Sequence, residues 1–190
     1  LPNTRILEPG DPNLTAHLVR YALWIYGNIY MRMGRHKLDV ITKEDDTPYY
    51  DENYEYEYGK TDIVREWKDL TLVAIWSAAS EAFKAYNKLS EDIDVDLIIA
   101  TTYKDFDDKI LESVWETWKL IVVEDHFTQC GLAHNIKWYL SDWWVDLWNS
   151  MRSLWPTEYQ LSGECDELYQ KAWMDALSIQ KEIKKMFKNK

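Results

Sequence analysis

Apolar residues return every three to four positions along five long stretches of this chain, and that recurrence constrains its fold more than any other feature. Leu14, Leu18, Ala22, Ile25, Ile29 and Met33 form the first series, behind Asp11-Pro12, which reads as an N-cap followed by proline at the first helical position. Ile63, Trp67, Leu70, Ala74, Ala78, Ala82 and Tyr86 form the second. A third stretch, about 104 to 129, carries Phe106, Ile110, Val114, Trp118, Ile121 and Val122. A fourth, from Ala133 to Trp155, carries Ile136, Leu140, Trp144, Leu147, Met151 and Leu154 and ends at Pro156. The last opens near Ser162 or Gly163 and runs to about Asn189, with Leu168, Ala172, Ala176, Ile179, Ile183 and Met186 on one side. Between them, DVDLIIATT reads equally as a short helix or a strand. The expectation is an all-α, single-domain bundle over residues 1–190: about five long helices, one short ambiguous element, and an irregular lead-in over 1–10. Trp118, Trp144, Trp148 and Trp173, on or beside those stripes, are expected to be buried.

One stretch breaks the pattern. Residues 44–58 read EDDTPYYDENYEYEY: seven carboxylates, five tyrosines and no Lys, Arg or His. Such a segment repels itself and has few aliphatic groups to bury, so a solvated acidic loop over 43–60 is expected. The chain carries −11 overall, and with −7 in this tract the rest carries only −4. No cluster of Lys or Arg is present to release counterions from a phosphate backbone, which disfavours direct binding to nucleic acid. A local negative field favours a protein partner with a basic surface. The candidate contacts are Tyr49, Tyr50, Tyr54, Glu55, Tyr56, Glu57 and Tyr58, with rings available to stack on guanidinium groups. The alternation in YEYEY also fits an edge strand.

The chain holds eleven Trp and thirteen Tyr. Five of these Trp crowd the fourth stretch, where Trp138 and Trp143 point away from Trp144 and Trp148, so they are the candidates for an exposed aromatic anchor face.

Motifs for chemistry are sparse. His126, Cys130 and His134 stand four apart and offer zinc-type donors, but Gly131 interrupts them and no fourth ligand completes the set. Glu124-Asp125-His126 lacks the Glu-x-x-His spacing of carboxylate-bridged di-iron helices. No phosphate-cradling glycine loop, G-x-S-x-G or paired C-x-x-C is present, so no cofactor is called for and no enzyme class is indicated. Cys130 and Cys165 permit one disulfide, Asn13-Leu14-Thr15 is a glycosylation sequon, and no apolar run is long enough to span a membrane. The chain starts without Met, which fits either removal of a signal peptide or other leader, or trimming of the sequence.

These features point to a non-enzymatic protein-binding module: a secreted helical effector, modulator or ligand that engages a basic protein surface through the acidic loop or the Trp-rich stretch. The alternatives are a cytosolic acidic inhibitor, such as an immunity protein or nucleic-acid mimic, and an enzyme or small-molecule carrier with a Trp-lined pocket between helices.

Overall fold

The structure, a computed structural model, describes residues 2–66, 69–89, 93–127, 129–145, 147 and 149–188. It is an α/β protein, not an all-α bundle. Two short strands, β1 (Thr4–Leu7) and β2 (Asn28–Met31), pair in parallel around α1 (Pro12–Trp24). After the acidic tract come β3 (Asp62–Arg65), β4 (Leu70–Ile75), α2 (Ala78–Tyr86), β5 (Val95–Ala100), α3 (Lys109–Thr117), β6 (Leu120–Val123), α4 (Leu132–Asp142), β7 (Met151–Leu154), α5 (Cys165–Lys171) and α6 (Ala176–Lys188).

Five strands form one mixed sheet in the order β3-β5-β4-β6-β7. β3 lies antiparallel to β5, and the other neighbours are parallel. Register runs from Leu70 opposite Val95 to Ile75 opposite Ala100, and from Thr71 opposite Leu120 to Ala74 opposite Val123. The sheet is covered on both faces. Leu72, Ala74, Leu97, Ile99, Ile121 and Val123 pack under α1, α2 and α6, where Leu14, Leu18, Ala82, Ile179 and Ile183 are buried. Val73, Ile75, Ile98, Ala100 and Val122 face the other way, against Ile110 and Val114 of α3 and Ile136 and Leu140 of α4.

This arrangement explains where the helical expectation fails. A parallel strand covered on both faces is apolar at nearly every position. Such a run supplies apolar pairs at helical spacing, i and i+4 in LTLVAI and i and i+3 in LIVV, so both continue a helical stripe by default. The expected second helix divides into β3, β4 and α2; the third into α3 and β6; the fourth into α4 and β7; the fifth into α5 and α6. The first stops at Trp24, and its last positions become β2. The ambiguous DVDLIIATT supplies β5. Trp67, placed on the second stripe, lies outside the described residues.

The cap at α1 forms as expected. Asp11 is extended, and its Oδ1 accepts from the N–H groups of Asn13 (2.6 Å) and Leu14 (2.9 Å). Its Oδ2 accepts from Ile41 N–H at 2.7 Å, tying the helix start to the segment that enters the acidic tract.

Candidate functional site

All four parallel strands end on the same edge of the sheet. The chain leaves β4 for β5 on one side, then crosses to β6 on the other, so the order reverses at β4 and β6. In open α/β sheets the crevice beyond such a reversal is where ligands bind. Here it receives Trp76 and Ser77 after β4, Glu124 to Phe127 after β6, and Trp155 to Gln160 after β7. A cavity of about 760 Å³ opens there, lined chiefly by His36, Trp76, His126, Phe127, Tyr159 and Tyr169.

The N-terminal segment adds charge to this edge. Glu8 follows β1, and its N–H donates to Thr101 O at 2.7 Å beyond the end of β5. Arg32 follows β2, and its N–H donates to Leu7 O at 2.9 Å. The two meet His126 and its neighbour Asp125. Nε2 of His126 faces Glu8 at 3.0 Å from Oε1 and 2.8 Å from Oε2, and Nδ1 faces Glu124 Oε2 at 3.1 Å. Arg32 Nη1 donates to Asp125 O at 2.9 Å, and its Nη2 stands 3.6 Å from Asp125 Oδ2. The Arg32 guanidinium lies 3.6 Å from the centre of the Trp76 ring.

Glu124 is fully buried, and it also satisfies the start of α4. Its carboxylate accepts from the N–H groups of Leu132 and, at 2.9 Å, Ala133. A Cβ on Gly131 would fall 2.2 Å from Glu124 Oε2, so only glycine leaves room for this cap.

Burial opposes a charged ring at His126. The hydrogen bonds that its ring donates to Glu124 and Glu8, and the charges of those carboxylates, overcome it and push the imidazole up to about 9. Burial raises the Asp125 carboxyl, against the nearby Arg32 and His126. Because His126 titrates higher folded than its ordinary value near 6.5, the stability it contributes is complete below that value and is lost as pH rises through about 9. The stabilisation of the natural chain over a His126→Gln variant is therefore expected to shrink by on the order of 3 kcal/mol between pH 6 and 9.5. Urea unfolding at both pH values measures it; a difference independent of pH would show that the ring is not held charged.

The sequence-derived candidates fall in other places. His126 belongs to the carboxylate network, while Cys130 and His134 are exposed, so the three do not converge; no cluster of metal-ligating side chains is found among the described residues. Cys130 and Cys165 are both free thiols, not a disulfide. Trp138 and Trp143 stand on and just after α4, 70% and 50% exposed. Trp118, Trp144 and Trp173 are not core residues: they are 56%, 94% and 66% exposed, because each follows the end of its helix and turns outward. Trp148 lies outside the described residues.

The acidic tract is not merely a solvated loop. Its carboxylates point out and its rings point in. Tyr50 is 1% exposed, and Tyr49, Tyr54, Tyr56 and Tyr58 pack against the same core. Tyr54 Oη donates to Asp62 Oδ2 at 2.8 Å, and Tyr58 Oη to Asp105 Oδ2 at 2.7 Å. Glu55 and Glu57 are exposed between them. Any partner would thus meet the acids before the rings.

Glu8, Arg32 and His36 carry no mark in the sequence as site residues, and Glu124 stands out there only within a triplet that lacks the di-iron spacing. The only signal was a buried-strand run, LIVV, that ends in Glu-Asp-His, and its meaning depends on recognising the run as a strand.

Comparison with known proteins gives the fold a family. A model of the transketolase C-terminal domain matches residues 59–179. The chain is similar to a putative transketolase C-terminal section of Methanocaldococcus jannaschii, 26% identical over 184 residues that make up 96% of this chain and 55% of that protein. It is also similar to an apulose-4-phosphate transketolase subunit of Actinobacillus succinogenes, 25% identical over 93% of this chain and 55% of that protein. A solved split gene transketolase, described as an inactive beta4 tetramer, superposes with a TM-score of 0.80 at 22% identity, covering 98% of this chain and 57% of that one. The chain thus spans about half the length of these relatives. These matches overturn the expectation of a non-enzymatic effector or ligand aimed at a basic protein surface.

Proposed function

The chain belongs to the transketolase C-terminal domain family, and from that premise we propose that it forms part of the C-terminal section of a transketolase-type enzyme and works assembled with the rest of that enzyme. The observation that carries this reading is the family match across residues 59–179, on a chain about half as long as its curated relatives. The site geometry supports it. Both nitrogens of His126 are engaged by carboxylates, and Glu124 is spent on capping α4. His126 and Glu124 are thus already partnered, and the network they form is built to hold three chain segments together. On this reading turnover requires the rest of the enzyme, which this section shapes and supports.

The test is reconstitution. The purified chain is assayed alone for transfer between sugar phosphates, then with the complementary transketolase section encoded by the same genome. The expected result is no turnover alone, a stable complex on size-exclusion chromatography, and turnover from the complex. Turnover by the isolated chain, or failure of the two sections to associate, would refute the reading.

A further inference from the structure

The backbone of this fold asks for glycine at four places where the sequence has tryptophan. Among the described residues six non-glycine residues have positive φ: Asn3, Asp46, Trp76 (52°), Trp118 (52°), Trp144 (59°) and Trp173 (59°). Asn and Asp tolerate this region because their short side chains bond locally. Tryptophan has no such compensation.

Three of the four stand at the helix-ending position that glycine ordinarily fills. After α4, Trp144 N–H donates to Ser141 O at 3.1 Å and Val145 N–H to Leu140 O at 3.2 Å. After α5, Trp173 N–H donates to Gln170 O at 3.2 Å and Met174 N–H to Tyr169 O at 2.9 Å. Each pair is a complete Schellman closure with tryptophan as its left-handed residue. At the end of α3, Trp118 N–H donates to Val114 O at 2.8 Å, the single bond of the simpler left-handed cap. Trp76 makes the turn from β4 into α2, with its carbonyl accepting from Ala79 N–H at 3.0 Å.

Apart from Trp76, whose ring Arg32 covers, the rings do not repay the backbone. Trp144 is 94% exposed, Trp173 66% and Trp118 56%. Composition leans the same way: the chain has six Gly and eleven Trp, where ordinary usage gives about 13 Gly.

We propose that the polypeptide made in the source organism carries glycine in place of Trp76, Trp118, Trp144 and Trp173. One reassigned codon accounts for the whole set, since UGA is read as tryptophan by some translation systems and as glycine by others. The exposed rings of Trp118, Trp144 and Trp173 are then no docking surface, and the edge beside His36 and Arg32 is more open than the Trp76 ring leaves it.

Tandem mass spectrometry of the protein isolated from its source decides the matter: peptides spanning these positions are expected to read glycine, and tryptophan there overturns the proposal. Recombinant protein tests the physical argument separately. Trp144→Gly, which removes almost no packed surface, is expected to raise the folding equilibrium constant about fivefold. Trp138→Gly, in the interior of α4 with a ring 70% exposed, is expected to lower it by about the same factor. If both variants shift stability in the same direction, the left-handed backbone does not select glycine and the inference fails.

Discussion

Glu124→Ala is expected to cost about 3–5 kcal/mol of folding stability, because it removes one partner from a buried charged network and leaves the others unpaired. Glu124 is fully buried at the end of β6 and takes hydrogen bonds from His126 Nδ1 and from two N–H groups of α4. Deleting it strands two backbone donors at the start of a helix and leaves an imidazolium facing only Glu8. Glu124→Gln keeps the shape and one acceptor oxygen but loses the charge, so a smaller loss of about 1–2 kcal/mol is expected. Adding His126→Ala to Glu124→Ala should cost less than the sum of the single changes, since each disrupts the same contact. Urea unfolding followed by far-ultraviolet circular dichroism provides all four stabilities. A loss under about 1 kcal/mol for Glu124→Ala would mean that the carboxylate is hydrated and that the carboxyl edge is not tied together by it.

How much of this was legible in the sequence depends on the distance over which each signal acts. The Asp11-Pro12 start of α1 is a local device, and the structure forms it as the residues imply. The apolar content of residues 70–75 and 120–123 was equally visible, but not its meaning. A strand buried on both faces shows no polar alternation to reveal a period of two (its one polar residue, Thr71, is itself buried), so Leu70 and Ala74 pass as one helical stripe while Leu72 and Val73 do not enter it. The helix ends misled in another way. Trp118 and Trp144 extend their stripes at helical spacing and Trp173 lies beside its own, yet each occupies the left-handed residue where the helix has already ended. The site itself was illegible for a third reason. Glu8 and His126 are separated by 118 positions and meet only because β1 and β6 end on the same edge. Arg32 reaches Asp125 across 93 positions. No short motif encodes such a meeting; it appears only once the strand order is known.

The acidic tract provides the second large effect, since its composition was conspicuous and its packing was not. Tyr50→Ala is expected to cost about 3–5 kcal/mol, the usual range for emptying a buried aromatic site. The ring is 1% exposed and shares a core with Leu14, Leu18 and Ile41. It also meets Tyr49 and Tyr54 edge-on, with ring centres 5.0 and 4.8 Å away, so its loss loosens both neighbours. Exposed carboxylates in the same tract should behave in the opposite manner: Glu55→Gln and Glu57→Gln are expected to change stability by no more than about 0.5 kcal/mol. The contrast is the test, because a freely solvated loop would make all three substitutions equally mild. An unfolding midpoint for Tyr50→Ala that matches those of the two glutamine variants would show that the ring is not part of the core. A large, selective loss would show that the tyrosines fasten the segment between β2 and β3 to the domain, while the intervening acids give that side of the protein its negative field.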